Sequence, residues 1–334
     1  MSRSDAAVEL DGQGLTFVQS IEPRGFLWLS LKHGLLNLVT LTTHRFWGQS
    51  EVRRWIWNAT DLDGEPLDYV GGGLELFLGF LLKVLTIGGP LLAAVLAVQA
   101  WGPLWGAPVA AAAWLIIAFI DGFGRFGAFL YMASRTEWRG ENFELEGSPL
   151  AFALAHMRDA SLCLATFGWW QPVAHRRQAQ SLWGGLTFQG RNFRFDMAAS
   201  NRSPVYSAYA IGWFGTVMVL LFGAGVLLGL ASGFFPTPEV GAAPSIGQLL
   251  ALFALAVGLW VLLTVIWAPY QAARRTSIAA GLGFALPIGW GDMARLNAVN
   301  AFLRFASLGV LAPVVQARTS AFLLARLRGT LTAQ

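Results

Sequence analysis

Four ionisable side chains stand where the chain is otherwise apolar: Glu75, Lys83, Asp121 and Arg125. Charges inside hydrophobic segments are rare unless they face a bundle interior, water or one another, so these four are the first candidates for a transport or buried-charge site. Asp121 and Arg125 stand at i and i+4, the spacing of a helical ion pair. A structural reading competes with the functional one. Glu75 can cap a helix start while Lys83 snorkels to the interface. The charges are expected to converge, with Glu75 or Lys83 in hydrogen-bond or ion-pair reach of Asp121, Arg125 or a polar residue of the flanking segments, because an unpaired charge in low dielectric is expensive.

A second set is basic. Arg53 and Arg54, and again Arg176 and Arg177, follow aromatic borders at Phe46 and Trp47 and at Trp169 and Trp170. Paired guanidinium groups beside Trp can receive anionic lipid headgroups or phosphate, or they can simply anchor the cytoplasmic side of the membrane. The histidines at 33, 44, 156 and 175 form no metal-ligand motif, and the lone Cys163 excludes an intrachain disulfide and reads as a packing residue. No metal and no cofactor is expected. Walker, GxSxG and dinucleotide signatures are missing from the sequence, and no nucleophile and base arrangement stands out, so an enzyme is not expected.

These charges must be positioned by membrane helices. The chain of 334 residues is 55% hydrophobic and only 13% charged. Its mean hydropathy is +0.53. Segments 73–98, 104–134, 206–234 and 246–269 are long and apolar enough to cross a hydrocarbon core of about 30 Å, which takes about 20 helical residues. They form two hairpins: residues 84–120 carry no charge, and between 203 and 273 the only charged residue is Glu239. The short turns near Gly102 and Pro238 lack Lys and Arg, so they are expected outside, with the basic segments and both termini cytoplasmic. The same rule accounts for the +4 net charge without nucleic acid. Residues 1–14 show no removable signal peptide, which leaves the first span to direct insertion. Gly225, Gly229 and Gly233 form a small-residue stripe suited to helix packing or dimerisation.

Between the hairpins a polar module recurs. Residues 17–69 overlie 143–195 without a gap, matching Thr40 to Thr166, Trp57 to Trp183 and Gly64 to Gly190. A decayed third copy begins at Phe284, with Ser307, Gly309, Pro313 and Arg318 on Thr166, Gly168, Pro172 and Arg177. The expected organisation is a tail and first module (1–72), a transmembrane hairpin (73–134), a second module (135–205), a second hairpin (206–272) and a degenerate third module (273–334). Each module holds a half-hydrophobic helix, at 26–41, 149–170 and 293–310. If all three crossed, the span count would reach seven, but Lys32, His33, Arg158, Asp159 and Arg304 favour an interfacial or re-entrant seat. Alternation around Gly64, Gly140 and Gly190 predicts short β elements on this all-α polytopic fold.

The stretches Leu35 to Gly79 and Ala133 to Ser148 resemble the YjgN-like bacterial inner-membrane proteins, a family of unknown function. The resemblance covers nearly the whole chain and rests on Thr40–Leu41, Phe46–Trp47, Arg53–Arg54 and Gly64; Thr42 and Thr43 depart from the family pattern. It implies an inner-membrane address and brings no catalytic residues. Two functions remain open: transport or channel-like activity built around the buried charges, and a non-catalytic envelope scaffold that binds lipids, a second copy of itself as a homo-oligomer, or a membrane-protein partner.

Overall fold

The computed structural model describes residues 17–234 and 245–329. The N-terminal residues expected to lack a signal peptide and the turn around Pro238 and Glu239 fall outside these residues.

The first module opens with β1 (Phe17–Gln19), followed by helices α1 (Phe26–Val39) and α2 (Arg45–Asn58) and strands β2 (Thr60–Leu62), β3 (Glu65–Pro66) and β4 (Asp68–Tyr69). α3 (Gly73–Ser134) is continuous except at Gly102, where φ is 74°. That left-handed value suits glycine, which has no Cβ to clash. Here the helix folds back on itself. Lys83 pairs with Asp121 across 38 residues and Glu75 with Arg135 across 60, separations that in a straight helix would be about 57 Å and 90 Å. Beyond the reversal the arms touch so closely that a Cβ on Gly106 would lie 2.7 Å from the Val98 Cα. The two expected spans are therefore the arms of one hairpin.

The second module comprises β5 (Thr136–Trp138), β6 (Glu141–Asn142), β7 (Glu144–Leu145), α4 (Pro149–Ala165), α5 (Gln171–Trp183), β8 (Leu186–Phe188), β9 (Arg191–Asn192) and α6 (Met197–Asn201). Pro149 opens α4, with Ser148 accepting the Ala151 amide as N-cap. The second hairpin is α7 (Val205–Phe234) and α8 (Ile246–Ile266), continued by α9 (Ala268–Gly281); α10 (Trp290–Ala306) and α11 (Ala312–Leu324) form the third module. Among the described residues, Gly73–Ser134, Val205–Gly223 and Leu249–Gly281 are long and apolar enough to cross a membrane.

The β elements are three hairpins with one turn. Asp63–Gly64, Arg139–Gly140 and Gln189–Gly190 all have positive φ, near 50° then near 75–79°, the signature of a two-residue type I′ loop. Each hairpin is joined antiparallel by a strand from the preceding segment: β1 to β2, β4 to β5, β7 to β8. Leu62, Trp138 and Phe188, just before the three turns, pack in one core with Phe143 and Phe193, and Leu67 leans on it. The Trp138 indole donates to Leu62 O at 3.0 Å. Among the described residues the third module has only the bridge Ala285–Arg328.

The module helices differ from expectation in where they end. Each stops early at a tight reversal. Phe167 (φ 50°) and Gly168 (φ 92°) separate α4 from α5; Leu41 (φ 48°) and Thr42 (φ 71°) separate α1 from α2; Leu308 (φ 49°) and Gly309 (φ 86°) separate α10 from α11. At each of these three reversals a hydroxyl locks the turn. Thr40, Thr166 and Ser307 each donate to the carbonyl four residues back and accept the amide four residues on, at 2.7–3.1 Å. The amides of Thr42, Gly168 and Gly309 each bond five residues back, at 2.6–2.7 Å. The modules are thus helical hairpins. α2 and α4 pack on α3, α10 packs on α8, and α11 returns to α1, where Val314 and Ala317 join Phe26, Leu29 and Val52.

Candidate functional site

The charges of the first hairpin do converge, in part. Asp121 is the hub: Lys83 Nζ lies 2.9 Å from Oδ1, Arg125 Nε donates to Oδ2 at 2.6 Å, and His156 Nε2 of α4 lies 3.3 Å from Oδ2. Gln178 of α5 donates to His156 Nδ1 at 3.1 Å, which leaves the Nε2 proton to face the carboxylate. Gly122 makes this approach practicable, since a Cβ there would meet the His156 Cβ at 2.7 Å. The cluster links α3, α4 and α5. It is not enclosed: the side chains of Lys83 and Arg125 are 53% and 51% exposed.

Glu75 stands apart from that hub. Arg135 grips it with two bonds, Nη2 to Oε1 at 2.6 Å and Nε to Oε2 at 3.2 Å, closing the base of the α3 hairpin. Nearby, the buried Tyr69 accepts Arg53 Nη1 at its hydroxyl (3.1 Å) and Arg54 Nε at its carbonyl (3.2 Å), and its hydroxyl reaches that of Tyr131 at 3.4 Å. The first arginine pair therefore holds a strand in place. In the second pair Arg176 donates to Asn201 Oδ1 at 2.8 Å and lies over the Tyr206 ring, while Arg177 bonds Asp159 at 3.3 Å and covers Trp170.

A further polar position recurs that the search for intramembrane charges did not single out. His33, Asp159 and Asn300 occupy the same place in the three module helices, and all are buried. Opposite them, on the returning helices, stand Glu51, Arg177 and Arg318. In module 1 His33 Nε2 is 3.0 Å from Glu51 Oε2 and Nδ1 is 3.0 Å from His44 Nε2, with Lys32 also on Glu51 at 3.0 Å. In module 2 Asp159 Oδ1 meets Arg158 at 3.1 Å, Arg177 at 3.3 Å and the Trp170 indole N–H at 3.2 Å. In module 3 Asn300 donates to Thr319 at 3.1 Å, but its Oδ1 and Arg318 Nε are buried without a partner among the described residues. The gapless alignment already superimposes 33 on 159; the missing signal was the partner across the turn.

His175 sits beside a second aromatic cluster. Its Nδ1 is 2.5 Å from the Tyr270 hydroxyl and Nε2 is 2.9 Å from the Gln171 amide. Burial, reinforced by Arg274, lowers its pKa to about 3, so the ring is neutral at physiological pH. Tyr209 and Trp213 donate to Gly168 O (2.8 Å) and Phe167 O (2.9 Å), tying the module 2 reversal to α7. Trp57 and Trp183, equivalent by alignment, have unlike partners: Trp57 donates to Thr136, and Trp183 packs on Phe129. No group of three or more His, Cys, Asp and Glu among the described residues could hold a metal. An open pocket of about 590 Å³ lies between Gln180, Gly184 and residues 192–195, away from Asp121.

Long apolar helices, an exposed apolar surface and charges gathered in ion pairs define a helical membrane protein. The chain belongs to the family described as bacterial protein of unknown function (DUF898), whose model matches residues 24–334 and is the YjgN-like family. Among curated proteins and among solved structures, no match was found.

Proposed function

We propose that the protein is a non-catalytic scaffold of the bacterial inner membrane, with α3 and the α7–α8 pair as two crossing hairpins and three copies of one module on the cytoplasmic side. The observation that carries this reading is the closure of the candidate transport charges. Lys83, Asp121 and Arg125 satisfy one another on a half-exposed hairpin surface, Glu75 is neutralised by Arg135, and the pocket described above lies elsewhere. A translocation path needs charge facing a water-filled cavity. The repeated modules fit a gripping role instead. In each, a helical hairpin with the same lock offers an apolar outer face beside basic residues, an arrangement suited to anionic lipid headgroups.

The test is reconstitution in vesicles with and without phosphatidylglycerol. The scaffold reading expects ion and proton permeability no higher than in empty vesicles. It also expects retention of phosphatidylglycerol through detergent extraction, falling when Arg53, Arg54, Arg176 and Arg177 are changed to Gln in protein whose circular dichroism and thermal midpoint show the fold kept despite the lost bonds to Tyr69, Asn201 and Asp159. Permeability above background that disappears in Asp121→Asn, with folding intact, would instead establish transport.

A further inference from the structure

We propose that the module hairpins are re-entrant, and that their apex residues Leu41, Phe167 and Leu308 insert among the acyl chains of one leaflet. This rests on the reading above, in which the modules lie on one side of the membrane.

The apex is built the same way three times. Its first residue is large and apolar, is held at φ 48–50°, and is 85%, 83% and 85% exposed in Leu41, Phe167 and Leu308. A left-handed conformation is unfavourable for a bulky residue, and Gly, Asn or Asp would adopt it more readily. In water, an exposed Leu or Phe there combines the strained backbone with unfavourable hydration. In hydrocarbon the hydration cost vanishes. Leu38, Val39, Leu164 and Phe302 extend each exposed apex down its helix.

The neighbours of the module 2 apex supply its occupant. α4 runs antiparallel to the second arm of α3, with Phe152 on Phe126 and His156 on Gly122, so beyond His156 it follows the charge-free stretch that begins at Ile120. From His156 to Ala165 the helix climbs about 13 Å, nearly half of a ~30 Å hydrocarbon core. On the other side, Phe167 O accepts the indole of Trp213, inside the charge-free α7. The returning α5 brings Gln178 back to His156. The polar residues of this hairpin, Arg158, Asp159, His156 and Arg177, sit below the apex and are paired. Trp114, Leu115 and Ile116, in the stretch of α3 that α4 follows, are exposed as well, so the same solvent, acyl chain, covers both. In module 3 Arg304 is exposed one turn before Leu308 and must reach the headgroups, which sets Leu308 shallower than Phe167.

The experiment uses the full chain in a Cys163→Ser background, with single nitroxide labels at Leu41→Cys, Phe167→Cys, Leu308→Cys and, as an aqueous reference, Asn142→Cys in exposed β6. Collisions with oxygen and with a water-soluble nickel chelate are compared in vesicles of phosphatidylethanolamine and phosphatidylglycerol. The expected result is a several-fold excess of oxygen over nickel contact at 167, a smaller excess at 308 and 41, and the reverse at 142. A label at 167 as open to nickel as the one at 142, from the module side, overturns insertion and leaves the scaffold reading standing. Nickel contact at 167 from the opposite side only means that α4 crosses, and both readings fall. Contact with neither reagent means that protein covers the apex, which also overturns the proposal. Where a cysteine variant fails to fold, a lipid carrying a mid-chain diazirine is photolysed on the unmodified protein. Adducts within residues 164–169 are expected, and adducts confined to the hairpin arms would overturn insertion.

Discussion

Modules 1 and 2 bury a polar side chain at the same helical position and set it against partners of opposite sign, although the His33 Nε2 that lies 3.0 Å from Glu51 makes no well-aligned hydrogen bond. His33 faces an acid, Glu51, with a second histidine stacked beside it; Asp159 faces a base, Arg177, with a tryptophan N–H completing its shell. The backbone around them is alike, down to the hydroxyl lock at Thr40 and Thr166. What the scaffold requires is thus a pair across the turn, and either helix can supply either member. Module 3 shows the requirement relaxed, since Asn300 replaces the carboxylate and Arg318 is left without an acid among the described residues.

The comparison is broken most severely by removing Asp159. Asp159→Ala removes the buried acceptor shared by Arg177, Arg158 and the Trp170 N–H; the two arginines are half-exposed and regain water, so a loss of about 2 kcal/mol is expected, read as a drop in the thermal midpoint of the purified protein. A double variant, Asp159→His with Arg177→Glu, imports the module 1 pair. It should recover part of the stability lost in Asp159→His alone; no recovery would mean that the two modules hold their hairpins by different means. A smaller effect, about 1 kcal/mol, is expected for Thr166→Val, which loses the hydroxyl lock while keeping the shape. Val at Thr40 should cost a similar amount.

Acid should separate module 2 from its neighbours. The His175 pKa is about 3 in the fold, below the ordinary 6.5, because the ring is buried near Arg274. As pH falls below about 6.5 the unfolded chain takes up a proton that the folded ring refuses, so stability declines progressively toward pH 3. The decline between pH 7 and 4 should be shallower in His175→Gln, measured by thermal midpoint at each pH. The smallest effect expected is a gain: Asn300→Asp gives Arg318 a carboxylate and should raise stability by no more than about 1 kcal/mol.

Much of this architecture is legible in the residues. Charge-free runs mark the arms of both hairpins, and Gly64, Gly140 and Gly190 mark the β turns because a type I′ loop needs positive φ. The reversals inside the module helices were harder to read. Gly168 and Gly309 are visible signals, but in module 1 the corresponding residue is Thr42, and a helix expected to run to Leu41 stops at Val39. Long-range pairings left no local trace. Glu75 finds Arg135 only because α3 folds back at Gly102, and β1 finds β2 across a whole helical hairpin. The convergence of Lys83, Asp121 and Arg125 follows from the cost of an unpaired charge in an apolar segment, whereas the arrival of His156 depends on the close approach at Gly122.

The most direct test of the account is the side of the membrane on which the modules lie. In the Cys163→Ser background, single cysteines at Gln99, beside the Gly102 turn, and at Gln189, in the β8–β9 loop, are exposed to a membrane-impermeant maleimide in intact cells and after lysis. The account predicts labelling of Gln99→Cys in intact cells and of Gln189→Cys only after lysis. Labelling of Gln189→Cys in intact cells, with Gln99→Cys protected until lysis, would contradict it.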